Sequence, residues 1–177
     1  KTVIVVEDFG AGSSVIKTNK RRVDKIAASS LKPKKFAQLL FRIVQFYKPV
    51  TVIELGTSFG ISSAYLASGH SQVKLYTLEG ASSIAGIAQQ NFNTLGLYNI
   101  DLIQGDFAVT FPKIFFQLSI VDLAFVDGNH RMQPTLEYFQ QLLKVSAEST
   151  ILIFDDIHWS KEMEEAWAAI KEHELVT

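Results

Sequence analysis

Short apolar runs alternate with longer segments in which apolar and polar residues recur with helical spacing. Runs rich in Val, Ile and Leu predict strands at residues 2–6, 51–55, 73–78, 100–104, 121–126 and 150–154. Apolar residues three or four positions apart predict helices at residues 33–47, 84–95, 134–145 and 161–173, and residues 61–67 suit the start of another. Residues 175–177 have the pattern of a strand that has just begun. Alternating strands and helices, with continuously apolar strands, predict an α/β fold with a parallel sheet covered on both faces.

The helix predicted from residue 33 has a clear start signal, because Pro33 suits a first helical turn. Its predicted apolar side consists of Phe36, Leu39, Leu40, Ile43 and Phe46. Lys32, Lys34 and Lys35 then lie at the positive end of the helix dipole, where cations are disfavoured. That placement is a weak sign that these lysines have a function.

The segment from residue 51 to residue 62 carries the first sign of a ligand. A buried strand turns through Gly56 and Gly60 and enters a helix, so a ligand can approach the backbone and the free N–H groups of the helix start. The next strand ends at Glu79, and an acid at this point suits the two hydroxyls of a ribose. The arrangement predicts a cofactor that contains a nucleoside.

Acidic residues lie at or just after the carboxyl ends of five predicted strands. In an open α/β sheet the ligand crevice lies along that edge, so these side chains are candidates for binding and chemistry. They are Glu54, Glu79, Asp106, Asp127 and the pair Asp155 and Asp156.

Composition narrows the classes of protein that remain. A chain of 177 residues, nearly half of them apolar, is expected to be one folded domain. It contains no cysteine, which excludes disulfides and thiolate chemistry, and no apolar run approaches the roughly 18 residues of a membrane span. We therefore expect no membrane partner and a cytoplasmic location.

Positive charge is concentrated near the start of the chain. Residues 17–35 contain eight of the seventeen Lys and Arg residues. The segment is either a solvated surface or a face for an anionic substrate, and the lack of interleaved aromatic residues disfavours nucleic acid.

Gly10 and Gly12 form either a plain loop or a second phosphate cradle. We divide the chain into an N-terminal strand and basic segment, residues 1–31, and a main part, residues 32–177.

The motif Glu54-Leu-Gly-Thr-Ser-Phe-Gly60 resembles the first motif of the class I S-adenosylmethionine-dependent methyltransferases. The later segments Gly105-Asp106-Phe107 and Asp127-Gly128-Asn129-His130 match that family in order and spacing. The pattern is closest to the small O-methyltransferases of the catechol and caffeoyl-CoA type. The resemblance implies a doubly wound, Rossmann-like, mostly parallel sheet of order 3-2-1-4-5, counted from the strand at residue 51. It also implies final antiparallel strands, which we expect to lie outside this chain.

The resemblance further implies that residues 32–177 bind S-adenosylmethionine and that the protein methylates a small molecule, with oxygen as the first candidate acceptor atom and nitrogen the next. The basic segment favours an anionic acceptor. The residues implied in cofactor binding are Glu54, Gly56, Thr57, Ser58, Gly60, Glu79, Gly80, Asp106, Phe107 and Asp127.

Cation-dependent members of that branch hold a divalent metal with acids after the fourth and fifth strands. The equivalent residues here are Asp127, Asp155 and Asp156, and their oxygen ligands suit Mg²⁺ or a similar ion. The family's lysine after the fourth strand is absent, so His130 is the candidate catalytic base, and Asp127 is the second residue expected to act in catalysis. His158 is a second candidate for base or ligand. The alternative is that these polar residues cap helices and line the cofactor pocket.

Three other functions remain open at this point. Gly56-Thr57-Ser58-Phe59-Gly60 also fits the nucleophile elbow of α/β-hydrolases, with Ser58, Asp127 and His158 in the required chain order. A nicotinamide dehydrogenase would use the same turn, although the glycine spacing differs from G-x-G-x-x-G. A domain that binds the cofactor without catalysis is the third. An apolar sheet edge left by missing final strands would favour a homodimer.

Overall fold

Five parallel strands form the central sheet of the computed structural model, in the order β5-β4-β3-β6-β7. The structure describes residues 2–6, 19–30 and 32–177, so the predicted loop at Gly10 and Gly12 lies outside the described residues. The strands are β1 (Val3–Val5), β2 (Lys20–Arg22), β3 (Thr51–Leu55), β4 (Lys74–Glu79), β5 (Ile100–Gln104), β6 (Val121–Val126) and β7 (Ser146–Phe154). The helices are α1 (Val23–Ser30), α2 (Lys34–Tyr47), α3 (Ile61–Ser68), α4 (Ser82–Leu95), α5 (Phe107–Phe115), α6 (Met132–Leu143) and α7 (Lys161–Lys171).

The sheet order confirms the predicted fold class. Strand β3 lies at the centre, where Glu54 is in register with Thr77 of β4 and Phe125 of β6. Counted from β3, the order is the expected 3-2-1-4-5, and all four strand pairs are parallel. The carboxyl ends of the five strands therefore meet along one edge, which we call the carboxyl edge.

Apolar side chains cover both faces of the sheet. On one face, Val44 of α2 and Leu66 of α3 pack with Phe92 of α4 in a buried cluster. On the other, Phe111 of α5 and Leu142 of α6 pack with buried residues of the central strands. Helices on both faces explain why the strands are apolar throughout. No helix in the described part of the chain is long and apolar enough to cross a membrane.

The N-terminal residues form a small unit of their own that packs against the main sheet domain. Strands β1 and β2 pair antiparallel, and α1 follows β2 directly. Val6 and Ile26 are buried in a cluster with Phe59, Ala81 and Ile84, which belong to the loop after β3, the loop after β4 and α4. Part of the basic segment is thus ordered secondary structure packed beside the candidate cofactor loop.

Helix α2 has the predicted position but buries a different face. Leu40 is buried as expected, yet Phe36 and Leu39 are half-exposed and Phe46 is 77% exposed. The buried positions are Ala37, Leu40 and Val44, which face α3. A Cβ placed on Gly69, just after α3, would lie 2.6 Å from Val44, so small residues permit this close approach where larger ones would not.

Two further expectations differ from the structure. Residues 175–177 do not form a strand, because the chain turns after α7 and the Val176 N–H donates to the His173 carbonyl. Helix α5, which the sequence pattern did not predict, spans residues on both sides of Pro112. Its first turn is capped by Asp106, whose carboxylate accepts a hydrogen bond from the Ala108 N–H at 2.9 Å.

Candidate functional site

The glycine loop, residues 56–60, connects β3 to α3 at the carboxyl edge. Gly56 and Gly60 have φ angles of +104° and +80°, which favour glycine, and Ser58 between them has φ +48°. The N–H groups of Gly56 and Thr57 both donate to the Leu78 carbonyl, at 3.0 and 3.1 Å. These bonds fix the loop against the end of β4 and leave the N-terminus of α3 directed into the edge of the sheet.

Glycine is also required because backbone segments from two strands meet here. A Cβ on Gly56 would lie 2.2 Å from the Asp127 carbonyl oxygen, and one on Gly128 would lie 2.8 Å from the Phe107 ring. The loop, Lys32 and Asp127 line a small recess that is partly open to solvent, which we call the loop recess. Its other lining residues are Ile61 and Ser62.

Glu79 lies beside the glycine loop at the end of β4. Its Oε2 accepts the N–H of Ser58 at 2.9 Å and its Oε1 accepts the N–H of Ala81 at 2.9 Å. The carboxylate is therefore held in a fixed orientation next to the loop. A carboxylate oxygen accepts more than one hydrogen bond, so these two backbone contacts do not by themselves exclude a ligand's hydroxyl groups.

Glu54 is fully buried at the end of β3. Its Oε2 accepts hydrogen bonds from the hydroxyl groups of Ser63 and Thr77, the latter at 2.6 Å. Its Oε1 is buried without a hydrogen-bond partner in the described part of the chain. Burial raises the pKa of the Glu54 carboxyl, against the opposing effect of the hydroxyl groups around it.

Asp127 and Asp155, at the ends of β6 and β7, share one cation. The Lys32 ammonium lies 2.7 Å from Asp127 Oδ2 and also contacts Asp155 Oδ2. Burial raises the pKa of Asp127 to about 7, although the nearby ammonium acts in the opposite direction. The same two carboxylates raise the pKa of Lys32, outweighing its own desolvation, so Lys32 is a cation at neutral pH.

His130 lies close to Asp127 and Asp156. Its Nε2 is 3.6 Å from Asp156 Oδ2, and its ring lies 5.6 Å from the Trp159 ring, centroid to centroid. Burial lowers the pKa of His130. Asn129, His130 and Asp156 all have positive φ angles, a set of strained residues typical of functional sites.

The three acids predicted to bind a metal do not form one group of ligands in the structure. Single ligand atoms of Asp127, His130 and Asp156 lie within 4.8 Å of one another, so among the described residues these three could hold an ion. Asp155 is instead engaged with Lys32. A divalent cation between β6 and β7 therefore does not fit while the ammonium occupies that position. The metal site stays a prediction.

The remaining predicted residues lie at the same edge but differ in their contacts. Asp106 is exposed and caps α5, while Phe107 is half-buried against Gly128. Gly80 follows Glu79 in the turn to α4. His158 is exposed and pairs with Glu164 at 3.0 Å, so it does not form the hydrolase arrangement with Ser58.

Lys32 is the residue whose role the sequence analysis did not assign. The signs in the sequence were its unfavourable position before a helix N-terminus and its place in the basic segment, residues 17–35. Its partners lie about a hundred residues further along the chain, so no local pattern connects them.

A parallel sheet of order 3-2-1-4-5, with a glycine loop after the first of these strands and an acid ending the second, defines a Rossmann-like methyltransferase fold. The chain belongs to the family described as "Methyltransferase domain", whose model matches residues 53–157. This match confirms the family inferred from the sequence and leaves the hydrolase and dehydrogenase alternatives without support.

Comparisons with individual proteins agree with the family. The chain is 29% identical over 126 residues to a catechol O-methyltransferase from Niastella koreensis, covering 70% of this chain and 55% of that protein. The chain thus spans about half the length of this curated relative.

Solved structures share the fold. An O-methyltransferase from Bacillus cereus in complex with SAH has a TM-score of 0.74 at 23% identity, covering 86% of this chain and 77% of that one. The O-methyltransferase TomG from Streptomyces achromogenes, in complex with SAM, has a TM-score of 0.69 at 21% identity, covering 79% and 68%.

Proposed function

We propose that this protein transfers a methyl group from S-adenosylmethionine to an oxygen of a small molecule. The observation that carries the proposal is the pairing of Glu79 with the glycine loop. A carboxylate at the end of β4, fixed by the Ser58 N–H, stands next to backbone that a ligand can approach closely. The name of the curated relative and the SAH and SAM complexes of the structural neighbours support the same cofactor and reaction.

The residues present fit the cofactor. Glu79 offers carboxylate oxygens to the ribose hydroxyls, and Gly56 leaves room that a Cβ would fill. The unpaired Oε1 of Glu54 offers an acceptor to the ammonium group of the methionine end. When bound, the cofactor supplies a methyl group on a positively charged sulfur, ready for displacement. The protein mainly has to position the acceptor, exclude water and receive a proton.

His130 is the group that receives the acceptor's proton. Because burial lowers the pKa of His130, the ring is neutral at pH 7 and can accept a proton from a hydroxyl group. Asp156, 3.6 Å away, stabilises the imidazolium that forms. Methyl transfer thus makes a carbon–oxygen bond, breaks a carbon–sulfur bond and leaves the proton on His130.

An acceptor with negative charge suits the loop recess. The Lys32 ammonium lines the recess with only 13% of its side chain exposed. Two of its N–H groups are directed to Asp127 and Asp155, which leaves a third for an acceptor oxygen. We therefore propose a small hydroxylated anion, or a phenol that ionises on binding, as the acceptor.

Titration calorimetry with S-adenosylhomocysteine tests the cofactor assignment. We expect micromolar binding to the wild type and an affinity about tenfold or more lower in Glu79→Gln, because a charged acceptor of two hydroxyl hydrogen bonds becomes neutral. Glu137→Gln removes an exposed carboxylate of α6 and should bind like the wild type. Equal affinity in all three proteins would exclude Glu79 as the ribose ligand.

A further inference from the structure

The Lys32 ammonium occupies the space between the ends of β6 and β7. It lies 2.7 Å from Asp127 Oδ2, contacts Asp155 Oδ2, and lies 5.5 Å from the centre of the Phe125 ring. Only 13% of the Lys32 side chain is exposed. Two carboxylates and an aromatic face thus surround a single positive charge, which is a built environment for a cation.

These carboxylates are the side chains that would otherwise attract a divalent ion. Hard cations bind carboxylate oxygens, and two unpaired acids at adjacent strand ends would repel each other without a positive charge between them. The ammonium supplies that charge and directs N–H donors to the same oxygens. We propose that Lys32 takes the place of a divalent cation at the carboxyl edge, so that this protein binds no metal there.

The Lys32 ammonium also disfavours a metal at the other possible group of ligands near this edge. Asp127, His130 and Asp156 could approach an ion together, but Asp127 is also the partner of Lys32. An ion bound to Asp127 would lie close to the ammonium, and the two positive charges would repel each other. Removing Lys32 therefore frees both Asp127 and Asp155 and also removes the repulsion.

The proposal is tested by Mn²⁺ binding to the full chain after treatment with EDTA, measured by electron paramagnetic resonance. We expect weak binding to the wild type and an affinity at least tenfold higher in Lys32→Met, which keeps most of the unbranched side chain and loses its charge. Lys34→Met removes an exposed lysine two residues away and should behave as the wild type does. Circular dichroism establishes that each variant is folded.

Two results would overturn the proposal. Wild-type binding as tight as that of Lys32→Met would show that the ammonium does not exclude the metal. A folded Lys32→Met protein that also fails to bind Mn²⁺ would show that these acids are not a cation site. If Lys32→Met does not fold, the proposal is tested by comparing the Tm of the wild type in millimolar Mn²⁺ with its Tm in EDTA. We expect the same Tm in both, and a rise of several degrees with Mn²⁺ would contradict the proposal. None of these measurements depends on methyl transfer.

Discussion

At the scale of single residues, the candidate site places ionisable groups where their environments differ strongly. Asp127 is largely buried and lies close to both Lys32 and His130, whereas Asp156, one strand away, is 43% exposed. Burial raises the pKa of Asp127 to about 7 and lowers that of His130. Asp127 therefore titrates near neutral pH beside an imidazole that is uncharged there, which suits proton transfer under physiological conditions.

The raised pKa of Asp127 predicts how stability depends on pH. The folded protein binds a proton at Asp127 that the unfolded chain has already lost above about pH 4, so this contribution to the free energy of unfolding falls as the pH rises through about 7. Asp127→Asn lacks the titration. We expect the free energy of unfolding of the wild type, relative to that of Asp127→Asn, to fall by about 1–2 kcal/mol between pH 5 and pH 7.5, after allowance for partial exposure.

Urea unfolding at the two pH values measures this difference. Asp101→Asn serves as a control, because it removes a carboxylate from the exposed pair with Lys74. A wild-type stability that rises with pH relative to Asp127→Asn would mean that the ammonium, and not burial, dominates the pKa of Asp127.

At the scale of elements, the sequence identified most of the central sheet because buried parallel strands have an unmistakable apolar pattern. Strands β5 and β6 have the predicted bounds, and α4 ends at Leu95 as predicted, where Gly96 follows in a left-handed conformation. The faces of α2 were harder to predict, since apolar residues surround that helix and the contact with Gly69 decides which of them are buried. Helix α5 was not predicted because Pro112 interrupts its pattern.

Two glycines of the same region predict opposite effects of substitution by alanine. Gly60, which precedes α3, has φ +80°, and an added Cβ would lie 2.3 Å from the buried Phe92 ring. Gly86 lies within α4, and an added Cβ would meet nothing within 4 Å. We expect Gly60→Ala to lower the free energy of unfolding by about 2 kcal/mol or more and Gly86→Ala to raise it by about 0.5–1 kcal/mol.

Thermal unfolding of the two variants beside the wild type checks both signs. Each variant carries one added methyl group, so a difference in their stability reports the backbone conformation of the two glycines and the space around them. A stable Gly60→Ala protein would mean that Phe92 can move without loss of packing.

At the scale of the whole molecule, the candidate site joins segments that are far apart in the chain. The glycine loop and its strand were predictable because they are continuous in sequence. The pairing of Lys32 with Asp127 and Asp155 was not, because it depends on how the start of α2 meets two later strands. The same is true of Ile26, which is buried beside Phe59 of the glycine loop.

This packing predicts that the N-terminal unit and the sheet unfold together. Ile26 is 4% exposed, so Ile26→Ala should lower the free energy of unfolding by about 2–4 kcal/mol. Both tryptophans, Trp159 and Trp167, lie far along the chain from Ile26 and report on the region around α7. We expect the urea midpoint measured by their fluorescence to fall, and the free energy of unfolding calculated from it to show the whole of this loss.

Val109→Ala, at a half-exposed position of α5, is the matched control and should change stability by less than about 0.5 kcal/mol. A tryptophan-detected midpoint that stays constant in Ile26→Ala would mean that the N-terminal unit opens independently of the sheet.

The contact between Lys32 and Asp155 also has a consequence for synthesis. These residues are 123 positions apart, so the ribosome has synthesised the glycine loop and most of the strands of the sheet before Asp155 emerges. Until then the ammonium has at most one of its partners and β6 is an open edge. The nascent chain therefore completes the charge cluster only in the last stage of folding, and translation that stops before β7 releases a polypeptide that has the glycine loop but lacks Asp155.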